Sequence, residues 1–251
     1  MKRFTLVNIL AAAVVLAGLG MFAATASAVD LRATQDARIE SAALNPHNVL
    51  QGLSDLLVIK LDNGPNERKV YMDFDLSSIT AGSAVSASLA VTSAQDNGTV
   101  LNSEFDVYAC PDGGICETWD EATILWDNAP GHNLSMGAPN QREYPRDPFP
   151  GSTKVGSFSI VNPVVLGDTW ALSSTPELVA AINADTNNLL TLMMAAGETD
   201  FPNGYGPLFA SKDHASLAGP VLSVTVPEPA TSCLLGLGLV ALLAGYRRRS
   251  R

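Results

Sequence analysis

Between residues 29 and 226 the apolar residues arrive in short bursts, each closed by a turn cluster, and this spacing narrows the choice of fold. "SDLLVIKLD" runs into the turn-rich "NGPNE", and "RKVYMDFDLSSI" sets Val70, Met72, Phe74 and Leu76 against Tyr71, Asp73 and Asp75. A period of two places these sets on opposite faces of a strand and predicts one wet face. "AVSASLAVTSA" repeats the pattern with Val85, Ala87, Leu89 and Val91, and "SEFDVYAC" with Phe105, Val107 and Ala109. "LRATQDARIES" opens the series; "KVGSFSIV", "NLLTLMMAAG", "PLFASKD" and "PVLSVTV" close it. About nine or ten strands at this spacing predict an all-β fold, an antiparallel β-sandwich of jelly-roll type.

One helix interrupts the strands. In "SSTPELVAAINAD", Ser174 or Thr175 can cap the start, Pro176 suits the first turn, and Glu177 favours the positive end of the dipole. Leu178, Val179 and Ile182 form its apolar stripe, so the helix is expected to cover one end of the sandwich. His132 to Gly151, rich in proline and glycine, reads as a long loop.

The two ends of the chain read differently. Lys2 and Arg3 precede an apolar stretch that closes on Ala26-Ser27-Ala28, a small-x-small site. This is the pattern of a secretory signal peptide over residues 1–28, cut between Ala28 and Val29 by signal peptidase after Sec export. At the other end, residues 227–251 carry Pro227-Glu228-Pro229, the uncharged segment Thr231 to Tyr246, and then Arg247, Arg248, Arg249 and Arg251. As a transmembrane helix that segment spans about 24 Å, short of a bilayer core of about 30 Å. Snorkelling arginines and local thinning make up the difference, and the arginines keep their side cytoplasmic.

This tripartite tail resembles the PEP-CTERM sorting signal of Gram-negative bacteria. The resemblance implies a transient inner-membrane anchor, cutting near Pro227-Glu228-Pro229 by an exosortase (a membrane cysteine peptidase), and a destination at the cell surface or in the exopolysaccharide and biofilm matrix.

About 198 residues, 29–226, remain for one domain with a real core. Loss of the ends removes six basic residues and only one acidic residue, Glu228, which takes the net charge from −10 to about −15. A surface of that sign excludes nucleic acid as a partner. It suits solubility outside the cell, spacing from anionic neighbours, or a divalent cation, for which Ca2+ is the natural extracellular candidate. Cys110 and Cys116 flank the turn-rich "PDGGI". Export allows oxidation, so a local disulfide is expected; a two-cysteine metal site has no further Cys or His at ligand spacing.

"CETWDEATILWDNAPG" is the distinctive central motif. "TWDEA" is expected to form a helical turn capped by Thr118, "TILW" to enter a strand, and "DNAPG" to turn. Its order of Trp, acidic residue, Thr, Ile, Trp, Asn, Ala and Pro resembles the domain family often called DNRLRE, which overlaps an alginate-type carbohydrate-binding module family. "YMDFDLSSI", "ASLAVTS", "FDVYAC", "NNLLTLMMAAG" and "LFASKDHASLAGPVLSVTV" are similar to its other strands in the same order. The resemblance implies a jelly-roll sandwich, commonly noncatalytic, that serves secreted and surface proteins and in some members binds extracellular polysaccharide.

Trp119 and Trp126 are either stacking platforms for sugar rings or core anchors; their neighbours Ile124 and Leu125 favour the core. Trp170, Tyr144 and Tyr205 are the other candidate platforms. Asp36 near the start and Ser211 and Asp213 near the end can meet if the first and last strands pair. Jelly-roll modules resembling this one often place a structural ion there, and Ca2+ fits those ligands; no other cofactor is indicated. Asp73/Asp75 and Asp120/Glu121 are the carboxylate pairs that an alternative, a glycosidase or lyase, would use. A solvated face in a very acidic protein is the stronger reading of Asp73/Asp75. No serine elbow, zinc signature or phosphate loop is present. The third alternative is a structural adhesin without a glycan site.

Overall fold

The structure, a computed structural model, describes residues 26–41, 51–61, 67–96, 98, 104–134, 148–197 and 204–228. Most of the expected signal peptide, the tail segment Thr231 to Tyr246 with its arginines, and Tyr144 lie outside them. Among the described residues no helix is long and apolar enough to cross a membrane.

Residues 28–226 form one compact unit. Its strands are β1 (Ala26–Glu40), β2 (Leu56–Leu61), β3 (Arg68–Asp75), β4 (Ser86–Thr92), β5 (Glu104–Ala109), β6 (Thr153–Ser159), β7 (Thr169–Leu172), β8 (Leu189–Ala196), β9 (Gly204–Ala210) and β10 (Val221–Pro227). β1 begins three residues ahead of Val29. The single α-helix among the described residues, α1, spans Pro176–Ala184.

Neighbouring strands follow the order β6-β5-β8-β3-β1-β10-β4-β7, with β2 joining β3 to β9. β1 belongs to both layers. Its first half lies by β10, where Ala33 N donates to Pro220 O (3.1 Å) and Ser223 Oγ to Asp30 Oδ1 (2.6 Å). A register shift between Ala33 and Gln35 then hands the strand to β3, where Gln35 to Glu40 face Asp73 to Arg68. Such an irregularity turns a strand from one layer into the next. An isolated bridge between Ser93 and Phe209, and packing of β6 on β7, bring the far edges together. The result is antiparallel and close to a barrel, a more closed arrangement than two separate sandwich sheets.

The inner core is apolar. Val70, Met72 and Phe74 from β3, Phe105 and Val107 from β5, Leu190, Leu192 and Met194 from β8, and Leu222 and Val224 from β10 meet inside. Full burial of one such side chain contributes about 1.5–3 kcal/mol. The helix closes one end as its pattern predicted. Thr175 caps it, accepting from Leu178 N at 3.0 Å; Leu178 and Ile182 are buried, and Asn183 exchanges two 2.9 Å bonds with the backbone of Ala84.

The expected wet face of β3 is not wet. Lys69 and Tyr71 are 0% exposed and Asp73 is 1% exposed. Residues 110–134 and 148–152 fold over this outer face of the larger sheet and build a second core from Tyr71, Tyr108, Cys110, Cys116, Ile124, Trp126, Phe149 and Met193. Period-two alternation separates the two faces of a strand but does not say that the polar face stays in water. Asp73 is therefore no solvated surface carboxylate, whereas Asp75, two residues on, is exposed.

Candidate functional site

The segment from Cys110 to Asn133 carries the distinctive motif, and it is fastened at several points. Cys110 and Cys116 are joined by the expected disulfide. A 3₁₀ turn follows at Ile115–Glu117. Thr118 ends that turn, its hydroxyl donating to Ile115 O (2.6 Å), and does not cap the next one. Asp120 does: its Oδ1 accepts from Ala122 N (2.7 Å) and its carbonyl from Ile124 N (2.9 Å). "TILW" enters no strand. Asn128 instead folds it into a turn, accepting from Leu125 N (2.6 Å) and donating to Thr123 O (2.9 Å). An Asp and an Asn that mimic backbone partners explain why this stretch lacks both periodicities.

Trp126 and Trp119 part company here. Trp126 is buried, T-shaped against His132 (4.8 Å between centroids), with the Lys69 ammonium 4.7 Å from its ring centre. It is a core anchor with no free face. Lys69 also donates to Asn133 O (3.2 Å) and Pro148 O (3.4 Å), so one buried ammonium ties both ends of the long loop to the sheet. His132 Nε2 pairs with Trp126 O at 2.6 Å. Burial and the facing ammonium push the His132 imidazole down to about 4, so at neutral pH it donates from Nε2 and receives Lys69 at Nδ1.

Trp119 is half-buried. Its indole N–H donates to Asp73 Oδ1 (3.0 Å), and its ring rests against Tyr71 (5.7 Å, 60°). Asp73 also accepts from Thr191 Oγ1 (2.6 Å) and Gln35 Nε2 (3.3 Å). Burial raises its carboxyl to about 6, opposed by the Thr191 and Trp119 bonds. Trp119 thus stands on a rigid polar base and borders an open cleft of about 370 Å³, lined by Thr118, Asp120, Thr123, Ile124 and Asn128. That volume is at the lower end for small-ligand sites. Trp170 lies far along the fold on β7, half-buried and T-shaped against Phe209 (6.4 Å). Tyr205 sits opposite Lys60 on β9, and its side chain, like Tyr144, is outside the described residues.

The acidic group at the chain's two ends does assemble, with an extra member. Asp36 is fully buried; its Oδ2 accepts from Lys212 N (2.6 Å), and its Oδ1 has no partner. Ser211 is buried and its Oγ accepts from Asp213 N (3.1 Å). Lys212 Nζ bridges Asp213 Oδ2 (2.6 Å) and Glu121 Oε2 (3.0 Å), while Glu121 Oε1 is buried and unpartnered. Burial, with Glu121 adding to it, pushes Asp36 up to about 7. Glu121 reaches this point because its turn presses on Gly52, where a Cβ would stand 1.5 Å from Glu121 O. Asp120/Glu121 is legible as an acidic pair; its meeting with Asp36 depends on tertiary contact alone. A second group, Asp112, Glu117 and Asp185, offers ligand atoms within 4.8 Å of one another, but these carboxylates already accept from Thr186, Asn187 and Asn188.

Residues 27–144 match the model of carbohydrate-binding module family 96, a class of binding module. Residues 225–249 match the PEP-CTERM protein-sorting motif, which marks a chain for export with a membrane-anchored passage. The first match covers β1 to β5 and the Trp119 segment; β6 to β10 complete the same unit beyond it. No curated protein matches the chain.

Proposed function

We propose that this chain is an exported, noncatalytic protein of the cell surface or extracellular matrix of a Gram-negative bacterium, and that it associates with exopolysaccharide through the Trp119 cleft. Signal peptidase removes residues 1–28, residues 29–226 are the working domain, and residues 227–251 are a temporary anchor processed by an exosortase. The reading rests on one observation above all: a half-buried tryptophan fixed from below by Asp73 and Tyr71, beside an open cleft, within the segment that matches a carbohydrate-binding family. Sugar rings present C–H faces that an aromatic ring covers well.

The test is retention of the chain on immobilised bacterial exopolysaccharide. Retention is expected for the native chain and is expected to drop at least about tenfold for Trp119→Ala, the scale of one lost contact of about 1.4 kcal/mol. Retention that persists in Trp119→Ala and disappears in Trp170→Ala moves the site to β7. Turnover of the polysaccharide replaces the reading with an enzymatic one. Intact mass of the protein from its host checks both terminal cuts.

A structural Ca2+ is supported by the two orphaned oxygens, Asp36 Oδ1 and Glu121 Oε1, which are hard donors of the kind Ca2+ takes. Lys212 Nζ already pairs with Glu121 Oε2 (3.0 Å) and Asp213 Oδ2 (2.6 Å), so an ion bound by Glu121 competes with that ammonium. Millimolar Ca2+ is expected to raise the melting temperature of the native chain and to leave Asp36→Asn unchanged. Equal shifts in both remove the ion from this point.

A further inference from the structure

Trp119 is tied to β1 through a single side chain. The pairing of β1 with β3 steps from Ala33 opposite Phe74 to Gln35 opposite Asp73, so Thr34 is an extra residue in the strand. Thr34 is exposed, and its hydroxyl donates to Asp73 O (3.2 Å). A bulge of this kind re-aims the side chain that follows it. Without the extra residue, Thr34 and not Gln35 would stand opposite Asp73. With it, the Gln35 amide lies between Asp73 and the cover. Its Nε2 donates to Asp73 Oδ2 (3.3 Å), and its Oε1 accepts from Glu121 N (3.0 Å). The backbone N–H of Glu121 can only donate, which fixes Oε1 on its side and turns Nε2 towards the carboxylate.

These bonds close a ring. Trp119 Nε1 donates to Asp73 Oδ1 (3.0 Å), Asp73 Oδ2 accepts from Gln35, and Gln35 accepts from the backbone two residues beyond Trp119. The indole and the turn that carries it are thereby referred to the same carboxylate, which Thr191 Oγ1 steadies from β8 (2.6 Å). We propose that Gln35 is the positioning residue of the Trp119 cleft, setting the angle between the indole and the turn at residues 120–124; this rests on the polysaccharide reading above. Gln35 does not line the cleft, so it acts through Trp119 and Glu121. Loss of its amide takes the acceptor from Glu121 N, in a residue only 9% exposed, and the donor from Asp73 Oδ2, in a residue 1% exposed. Buried groups stripped of a partner are costly, so the turn shifts to satisfy them and the indole shifts with it.

The experiment uses the full chain in detergent micelles at about pH 8, where the Asp73 carboxyl, raised to about 6, is ionised. Gln35→Met keeps the length of the side chain and loses both bonds. Gln35→Glu keeps the acceptor for Glu121 N and sets a second carboxylate against Asp73. Gln35→Glu combined with Asp73→Asn exchanges amide and carboxylate between the two positions and restores the pair. One readout is solvent exchange of the Trp119 indole N–H by NMR, its signal identified by its absence from Trp119→Phe. The other is retention on the same immobilised exopolysaccharide. In each single Gln35 variant, exchange is expected to quicken and retention to fall by at least about fivefold. The combined variant is expected to recover most of both. Unchanged indole exchange in the single variants, with only the melting temperature lowered, overturns the inference and makes Gln35 a structural residue. So does a combined variant no better than Gln35→Glu, and so does exchange that quickens while retention holds. A native chain that is not retained ends the polysaccharide reading, whereas the exchange readout judges the hold of Gln35 on Trp119 by itself.

Discussion

On its inner face β3 presents Val70, Met72 and Phe74; on its outer face the same strand presents Lys69, Tyr71 and Asp73. Both faces are buried, by different physics. The inner core is held by apolar area, which has no direction and tolerates exchange of like volumes. The outer core depends on directional bonds: Tyr71 Oη to Pro130 O at 2.9 Å, Lys69 to two loop carbonyls, and Trp119 to Asp73. A cover made of turns has few repeating backbone bonds of its own, so side chains must supply them. The candidate cleft sits on the side of the molecule where geometry is most tightly specified, as a rigid recognition surface requires.

The largest effect should come from the inner face. Phe105→Ala, which removes a ring packed on Phe158 and Phe209 (5.5 and 5.9 Å), should cost about 3–5 kcal/mol and lower the denaturant midpoint of the whole domain. A smaller cost is expected from the cover. Replacing Cys110 and Cys116 together by Ser opens a short loop and should cost about 2 kcal/mol. Amide exchange should then quicken first in residues 110–134, with β3 and β8 still protected. Simultaneous loss of protection in all three would mean that cover and sheet are one cooperative unit, and the contrast between the faces would dissolve.

The smallest effect is a pH dependence confined to the outer face. Asp73 has its pKa raised to about 6 by burial. Its native proton therefore contributes stability that is complete below the ordinary carboxylate range and lost as pH rises through 6. His132 is lowered to about 4, so its contribution is present above its ordinary value and lost as pH falls through 4. In thermal melts from pH 4 to 8, the native chain should lose ground to Asp73→Asn as pH rises and level off above about 7. Parallel curves would show that Asp73 does not titrate with folding.

Legibility followed the same division. The inner face was readable because Val70, Met72 and Phe74 alternate, and the helix because Thr175, Pro176 and Glu177 stand in capping order. The disulfide followed from two cysteines around a turn. The outer core was not readable, since Lys69, Tyr71, Asp73 and Asp106 look like a wet face and their cover, residues 110–134, has no period to follow. The one local clue was "LLTLMMAA" in β8, whose unbroken apolar run suits a strand covered on both sides. The Glu121 meeting with Asp36 and the selection of Trp119 over Trp126 both depend on contacts between distant segments, which spacing does not encode.

β10 occupies an interior slot, between β1 and β4, although it is the last strand in chain order among the described residues. A chain lacking Val221–Pro227 carries a gap in its hydrogen-bonded ladder between β1 and β4. Such a chain has exposed strand margins and a short sequence-distant debt of closure. The segment that fills the gap leads straight into the sorting motif. A chain that stops short of the sorting motif therefore also leaves this ladder unclosed.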